Sequence, residues 1–264
     1  MPSTICTARP TRKEIGVNYD ELLDFLKTRR TIRAIKPDAI ADESVDKILE
    51  AARWAPTGFN MQPLELLVVK DLVTRQAIKT LVDDYKNNDF YPMEATREAW
   101  QGHPWTMETH GEHDLPLAPV FIAFLGDTRR RIGLPMAARY SRQKGDSIFE
   151  SSLSNGFMYA WLAAHCLGLA ACPVSALKYP KLQGLVKHEL NLPDYIELYD
   201  MLLVGQSAMD GGPGAKLVRS LEEMVHREKA KDDEFMGEDE LRKQIKKLRA
   251  GNVARHGEAE RVDG

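Results

Sequence analysis

Cysteine is scarce in this sequence: there are three cysteines in 264 residues, and no two of them form a CxxC pair. An odd set without such a pair argues against a disulfide framework and against a cysteine-ligated zinc site. We therefore expect a reducing, cytoplasmic setting. Cys166 and Cys172 lie among apolar residues, so we interpret them as buried packing residues, with a redox pair as the alternative.

Long hydrophobic runs are also missing. No apolar stretch approaches the roughly 18 residues that a membrane span needs, and the best candidate, 161–174, is interrupted by His165 and Pro173. Residues 1–14 contain no apolar stretch of the kind found in secretory signals. The net charge of −3 gives no general attraction to nucleic acid or to anionic membranes. We expect neither of these as a partner.

The motifs of several enzyme classes do not occur. There is no GxGxxG, which argues against a Rossmann nicotinamide site, and the glycine-rich stretch 210–214 is interpreted as a flexible connection. His110 and His113 could hint at a metal, but no third ligand is placed, so we interpret them as part of a surface loop. No Ser-His-Asp arrangement can be argued from the residue order. We predict no metal site.

What is present is the composition of an ordinary globular protein, with 43% hydrophobic and 28% charged residues. Periodicity predicts a very apolar central helix at 147–167 that is buried on most sides. Strands and helices alternate without the rhythm of a doubly wound sheet, which favours an α+β fold with a mixed sheet around that helix. The other predicted elements are helices at 19–28, 42–55 (with Asp42 as its N-cap) and 179–189, strands at 64–69, 120–125 and 198–204, and a short strand or turn at 170–177.

The chain divides into three predicted regions. Residues 1–18 form an N-terminal arm, 19–226 form one domain, and 227–264 form a charged tail that is partly helical or disordered. Within the domain, 85–118 has no clean period and is rich in aromatic residues and histidine. A long segment of this kind is often a functional lid, and otherwise a variable surface excursion.

A basic cluster follows the first predicted helix. Arg29, Arg30 and Arg33 place three guanidinium groups within five residues, with the hydroxyl of Thr31 among them. Guanidinium groups match the oxygens of a phosphate and keep their charge at any working pH. The alternative is that basic residues at a helix C-terminus complement the helix dipole. The cluster is therefore a candidate anion site.

A polar turn, PTGFNMQP at 56–63, follows the second predicted helix. Thr57, Asn60 and Gln62 supply hydrogen-bonding side chains beside Gly58, where a backbone can approach another group closely. This composition is typical of a wall against a flat polar ring. The alternative is a polar turn packed on the protein itself.

The sequence resembles the nitroreductase family over roughly residues 20–226. Members of this family are FMN-dependent oxidoreductases with a nitroreductase-like fold, and they work as intertwined homodimers with FMN at the interface. The matching stretches, in chain order, are RRTIR at 29–33, ILEAARWAP at 48–56, TGFNMQP at 57–63, Asn155, LAAHCLGLAACPV at 162–174, LNLPDYIELYDMLLVGQ at 190–206 and RSLEEMVH at 219–226.

The resemblance implies four groups of cofactor-binding residues. The basic motif would hold the FMN phosphate and ribityl chain, the turn would lie against the flavin of the partner subunit, the backbone after the buried helix would face the reactive edge, and a basic residue near the end would meet the phosphate. The matching positions, in that order, are Arg29, Arg30, Thr31 and Arg33; Pro56, Thr57, Gly58, Asn60 and Gln62; Pro173, Val174, Ser175 and Ala176; and Arg219, with Lys216 as the weaker match.

Two departures from the family pattern leave substrate and reductant preference open. Thr57-Gly58 replaces paired serines, and Ser175-Ala176 stands where many members carry an acidic residue and glycine. The resemblance implies a ping-pong scheme in which NADH or NADPH reduces the flavin and a small planar acceptor, such as a nitroaromatic or quinone, is then reduced. No side chain is needed as a nucleophile or base, so none is predicted to be catalytic. The alternatives are a specialised reductive dehalogenase, a flavin-dependent dehydrogenase of one metabolite, and a non-catalytic flavin-binding protein.

Overall fold

The structure is a computed structural model, and it describes residues 16–94, 96, 115–209, 216, 218–231 and 234–253. The predicted arm up to residue 15, most of the segment 95–114, and the last eleven residues lie outside the described part. His110, His113 and Cys6 are therefore outside it as well. No helix in the described part is both long enough and apolar enough to cross a membrane.

A four-stranded sheet forms the middle of the fold. Its strands are β1 (Leu64–Val69), β2 (Val120–Asp127), β3 (Ala170–Pro173) and β4 (Ile196–Gly205). They lie in the order β1-β2-β4-β3. Every residue of β2 is buried, which explains its nearly continuous apolar sequence VFIAFLGD.

The described sheet is antiparallel throughout, where a mixed sheet was expected. β2 and β3 do run in the same direction, and a long helix connects them as in a parallel crossover. However, β4 is inserted between them and pairs antiparallel with both. The predicted α+β class holds, because helices and antiparallel strands are both present.

The helices of the described part are α1 (Tyr19–Thr28), α2 (Asp42–Arg53), α3 (Leu72–Tyr85), α4 (Tyr91–Glu94), α5 (Met136–Arg139), α6 (Arg142–Cys166), α7 (Pro180–Glu189) and α8 (Glu238–Val253). Four of them, namely α2, α3, α6 and α7, cover the two faces of the sheet. One core lies between the sheet and α3 with α7, and includes Ile78, Val82 and Leu182. The other lies between the sheet and α2 with α6, and includes Ile48 and Phe157.

Helix α3 was not predicted, although the sequence carries a signal for it. Asp71 is its N-cap, and the Asp71 carboxylate accepts a hydrogen bond from the Thr74 N–H at 2.8 Å. Its buried residues Ile78, Val82 and Tyr85 follow at helical spacing. By contrast, α2 begins without a side-chain cap, because Ala41 occupies the capping position and Asp42 instead pairs with Lys70 at 2.5 Å.

The central helix α6 is buried on one side and exposed on the other. Gly156 allows close packing on the sheet, since a Cβ atom there would lie 2.5 Å from the Leu64 Cδ2 atom. The exposed side carries Ser151, Ser154 and Met158. In a single chain, α6 is therefore less enclosed than its composition predicts.

The two described cysteines differ in burial. Cys172 on β3 is buried, as predicted, whereas Cys166 is exposed. The prediction for Cys166 is wrong because this residue ends α6, beyond the last side chain of that helix that packs in the core, Ala164.

Candidate functional site

The basic segment after α1 runs along the sheet in an extended conformation. The Ile32 N–H donates to the Ala171 carbonyl of β3 at 3.1 Å, and the Lys36 N–H donates to the Gln206 carbonyl at 2.8 Å. These bonds hold residues 29–36 beside the ends of β3 and β4. The position of the arginines is therefore set by main-chain pairing with strands that are distant in sequence.

Arg29 is the arginine whose environment fits an anion. Its guanidinium lies over the Trp161 ring of α6, with 4.1 Å between the Cζ atom and the ring centroid. Burial, and then the neighbouring charge of Arg30, lower the pKa of Arg29. Its Nη1 atom is buried and has no hydrogen-bond partner among the described residues. A buried charged donor without a partner is costly, so a phosphate oxygen at this atom would relieve an existing penalty.

Arg30 has a different role in the same segment. Its Nη1 atom donates to the carbonyl oxygens of Lys27 and, at 2.9 Å, of Arg29. Arg30 therefore caps the C-terminal end of α1, which is the alternative role that the sequence left open. Thr31 is half-buried, and Arg33 is exposed and lines a cavity.

The turn at 56–63 is fixed on α6 by hydrogen bonds. The Gly58 N–H donates to the Ser152 Oγ atom at 3.1 Å, and the Asn155 side chain donates to the Pro56 carbonyl at 2.9 Å. Within the turn, the Gln62 N–H donates to the Thr57 Oγ1 atom at 3.2 Å. The main chain of the turn is thus held largely by groups of its own chain.

The turn also stores backbone strain. Three non-glycine residues have positive φ angles, namely Phe59 (54°), Asn60 (52°) and Gln62 (47°). Such conformations cost free energy and persist where the surroundings hold them, often at functional sites. The side chains of Asn60 and Gln62 are exposed and joined to each other by a hydrogen bond of 2.8 Å. They present a small amide surface to the outside.

Gly58 serves the protein's own packing in this chain. A Cβ atom at this position would lie 2.4 Å from the Cγ2 atom of Ile148 on α6. The absence of a side chain therefore lets the turn lie against the central helix. The sequence predicted a close approach here, and within one chain the partner in that approach is α6.

Members of three of the four predicted binding groups line two different cavities. Thr57 and Gln62 line a cavity of about 420 Å³ between α2, β1 and the N-terminal half of α6. Arg33 and residues 173–176 line a second cavity of about 430 Å³, which we call the Arg33 cavity. On α6, Ser152 contacts the turn and Trp161 contacts Arg29, and these positions are about 14 Å apart along the helix.

The Arg33 cavity contains residues that the sequence did not single out. Lys86 lies in a five-residue π-helical turn, Lys86–Phe90, and Lys178 lies in the 3₁₀ turn that follows β3. Such π turns are frequent at functional sites. The aromatic and apolar lining is Tyr85, Phe90, Tyr91, Leu115, Pro116 and Tyr179. Both described ends of the predicted lid segment 85–118 thus reach this cavity.

Asp200 is a buried acid close to the Arg33 cavity. Its Oδ1 atom accepts a hydrogen bond from the Met201 N–H at 2.7 Å. Burial raises the pKa of Asp200 to about 6, against the nearby main-chain N–H groups of Met201 and Val174 and the charge of Lys178, which lower it. A signal was available, since an aspartate interrupts the apolar stretch of a predicted strand.

Arg219 and Lys216 lie elsewhere. Both side chains are exposed, and neither lines either of the two cavities described above. The Arg219 guanidinium donates to the Glu223 carbonyl. In a single chain, the structure therefore does not bring these two residues to the arginine segment.

Comparisons with known proteins agree with this architecture. A model described as "Nitroreductase family" matches residues 26–206. The chain is 26% identical over 232 residues to FMN reductase (NAD(P)H) of Bacillus subtilis, which covers 86% of this chain and 79% of that protein. A shorter match, 29% identical over 76 residues, is to iodotyrosine deiodinase 1 of Rattus norvegicus and covers 29% of this chain and 27% of that protein.

A solved structure gives the fold independently. The NADPH:FMN oxidoreductase of Vibrio harveyi, complexed with NAD+, superimposes with a TM-score of 0.59 at 17% identity. The match covers 86% of this chain and 84% of that one. This likeness confirms the predicted fold.

Proposed function

The chain belongs to the nitroreductase family, and from that premise we propose that it is an FMN-dependent oxidoreductase that uses NADH or NADPH as reductant. The observation that carries the proposal is the buried Arg29 Nη1 atom, which has no hydrogen-bond partner in the described part of the chain and is the kind of donor that a phosphate needs. The Bacillus subtilis and Vibrio harveyi relatives, whose names include both FMN and NAD(P)H or NADPH, support the same cofactor and reductant.

The residues of this chain would divide the work of holding FMN. Arg29 would bind the phosphate, Thr31 and Arg33 would continue that contact, and the backbone of 173–176 would line the reactive edge. When bound, FMN supplies the redox chemistry, by taking a hydride from the reduced nicotinamide and passing electrons to an acceptor. The protein needs no side chain as a nucleophile or essential base, so we propose no catalytic residue.

A homodimer would complete the site. The exposed residues Ser147, Ser151, Ser154 and Met158 follow one another at helical spacing on α6. Two copies of α6 packed antiparallel about a twofold axis would bring one chain's Ser152 end beside its partner's Trp161 end. The amide turn of one subunit would then meet the arginine segment of the other. The exposed amides Asn60 and Gln62 would face the flavin, and Arg219 remains a proposed phosphate contact.

The acceptor would be a small planar, electron-poor molecule such as a nitroaromatic or quinone, reduced in a ping-pong sequence. The aromatic lining of the Arg33 cavity supports this class, because Tyr85, Phe90 and Tyr179 offer flat apolar surface next to the predicted flavin edge. We propose that the segment 85–118 selects the acceptor. The low cysteine content supports a cytoplasmic location.

The visible spectrum of the purified protein tests the proposed function. Under anaerobic conditions we expect a flavin spectrum that bleaches on addition of NADH or NADPH and returns when a nitroaromatic or quinone is added. Protein that is yellow but not bleached by either nicotinamide would favour a non-catalytic flavin-binding protein. Protein that stays colourless after incubation with FMN would overturn the proposal.

Subunit mixing tests whether two chains share each site. One variant carries Arg29→Ala and Arg33→Ala, and the other carries Asn60→Ala and Gln62→Ala, which removes only exposed side chains. After dissociation and random reassociation, a shared site predicts that roughly a quarter of all sites regain FMN, since each heterodimer has one intact site. Each variant put through the same cycle alone is the control. Sites contained within one chain would regain none.

A reductive dehalogenase is the second candidate. It is supported by the match to a deiodinase, which covers 29% of this chain. Halide release from an iodinated or brominated phenol, measured beside nitroaromatic and quinone reduction, separates the two. A halogenated phenol turned over in preference to both other classes would favour the dehalogenase.

A further inference from the structure

Asp200 places a buried carboxylate in the central sheet. It lies in β4, whose sequence IELYDMLLVG is otherwise mainly apolar, and only 8% of Asp200 is exposed. Burying a carboxylate is costly unless hydrogen bonds and nearby charge compensate for it. A residue kept there against this cost calls for an explanation beyond packing.

A β-bulge sets the position of this carboxylate. Phe124 pairs with Asp200 and Leu125 pairs with Leu198, so Tyr199 is the extra residue of β4. Just past the bulge, the Met201 carbonyl accepts the Val174 N–H at 2.9 Å. The Asp200 Oδ1 atom accepts from the Met201 N–H at 2.7 Å, so hydrogen bonds join Asp200 to Val174 through Met201. The bulge thus brings an acid to the main chain where β3 ends.

Val174 connects Asp200 to the candidate site. Val174 is buried, and its neighbours Pro173, Ser175 and Ala176 line the Arg33 cavity with it. This stretch leaves β3 and enters a 3₁₀ turn, so few sheet hydrogen bonds hold it. The Met201 carbonyl holds the Val174 N–H at this point, and Asp200 in turn holds the Met201 N–H.

Two other titratable groups face Asp200. Lys178 from the 3₁₀ turn lowers its pKa, and the Asp200 charge contributes to the raised pKa of Cys172, about 11, which burial mainly causes. Arg33 and Lys86 act on the same thiol in the opposite direction. Asp200 therefore lies on one side of the buried Cys172 thiol, and the cavity cations Arg33 and Lys86 are also close enough to act on that thiol.

We propose that Asp200 is a positioning residue of the flavin site, which fixes Met201, the residue whose carbonyl holds the Val174 N–H, and places a titratable charge behind the backbone of 173–176. This inference rests on the proposed function, because it assumes that FMN binds in the Arg33 cavity. Electrons added to a bound flavin add negative charge to that cavity. A charged Asp200 opposes this and a neutral one does not.

The test is the flavin midpoint potential measured against pH in the wild-type holoenzyme and in Asp200→Asn. Asparagine keeps an oxygen acceptor for the Met201 N–H but cannot titrate. At pH 8 we expect reduced FMN to gain about tenfold in affinity relative to oxidised FMN in the variant, which equals a shift of about +30 mV for a two-electron couple. At pH 5 the two proteins should agree, because Asp200 is then mostly neutral.

The control is Asp127→Asn, at the C-terminal end of β2. Asp127 is also buried, but it pairs with Arg129 at 2.7 Å and lies about 10 Å along the strand from the Asp200 partner Phe124. Its substitution should leave the potential curve unchanged. Asp200→Asn curves that superimpose on the wild type at all pH values would overturn the inference while leaving the proposed function intact. Wild-type protein without flavin would overturn both.

If Asp200→Asn does not fold, Asp200→Glu provides the same measurement. Glutamate still titrates but moves the carboxylate, so the pH inflection should remain while the dissociation constant of FMN rises. An inflection that disappears in Asp200→Glu would contradict the assignment to this carboxylate.

Discussion

The arginine segment and the amide turn contact the same helix, α6, but their polar groups are satisfied in opposite ways. The turn has its N–H groups bonded to Ser152 and Thr57 and one of its carbonyls bonded to Asn155. On the arginine side, the buried Arg29 Nη1 atom has no hydrogen-bond partner within the residues that the structure describes. The turn therefore contributes a fixed shape, and the arginine segment contributes a hydrogen-bond donor that can still bind a ligand.

The two regions also differ in charge. The turn from 56 to 63 is neutral, and its strain is steric, in positive φ angles and in the close contact with Ile148. The arginine side combines desolvated charges, Arg29 and Asp200, with lowered and raised pKa values respectively. Substitutions on the arginine side should therefore act through charge and pH, and those on the turn through volume.

The largest expected effect concerns Asp200 on the charged side. Its pKa is about 6 in the folded chain against 3.8 in the unfolded chain, so the folded state binds the proton more tightly and stability falls as pH rises through that window. Asp200→Asn should be more stable than the wild type by up to about 3 kcal/mol at pH 8 and equal to it near pH 4. Urea unfolding at several pH values measures this. An unchanged pH dependence would contradict it.

Next in size is Arg29→Met. Methionine keeps the apolar contact with Trp161 but removes the charged donor, so FMN affinity should fall by about 1.5–3 kcal/mol, while the apoprotein should lose no stability. FMN titration and thermal unfolding of the apoprotein give the two quantities.

Arg53→Met is the matched control for Arg29→Met. Arg53 also lies over a tryptophan, Trp54, at 5.0 Å, but its side chain is 62% exposed. Arg53→Met should change neither the FMN affinity nor the stability of the apoprotein. Equal FMN loss in both variants would show that Arg29 has no particular role.

On the steric side, Gly58→Ala should destabilise the protein by about 1–3 kcal/mol, because the new Cβ atom overlaps Ile148. Adding Ile148→Ala removes the overlapping atom, so the double variant should lose less stability than the sum of the two single variants. Gly184→Ala is the control, since a Cβ atom there meets nothing within 4 Å. Additive effects of the Gly58 and Ile148 substitutions would mean that the contact does not matter.

The smallest effect is expected for Ser152→Ala. This buried hydroxyl accepts from Gly58, and its loss should cost about 1 kcal/mol in urea unfolding. Ser151→Ala is its control, since both hydroxyls donate to the Ile148 carbonyl but Ser151 is exposed. If both variants lose the same stability, the bond to the turn contributes nothing.

Local patterns predicted much of the fold. Helix α1 and strand β1 occur at their predicted bounds, because an amphipathic period and a short apolar run between turn residues are both encoded in neighbouring residues. Helix α6 begins at Arg142, five residues before its predicted start, since its polar first turn carries no apolar period. Helix α3 was missed despite its cap at Asp71.

Parts of the candidate site could not be predicted in this way. The β4 bulge that positions Asp200 depends on pairing with β2, and the π turn that carries Lys86 has no local signature. The antiparallel sheet likewise follows from the insertion of β4 between β2 and β3. Each of these features is set by chain segments that are far apart in sequence.

The sequence by itself determined which chemical groups are available: three guanidinium groups after one helix and a polar turn with two amide side chains after the next. Only the tertiary structure decided their use. It directs Arg30 to the carbonyls at the C-terminal end of α1, leaves the buried Arg29 Nη1 atom without a hydrogen-bond partner among the described residues, and sets Gly58 against Ile148. The reason is that the side-chain spacing is local, whereas the partner of the Gly58 N–H lies 94 residues away in the chain.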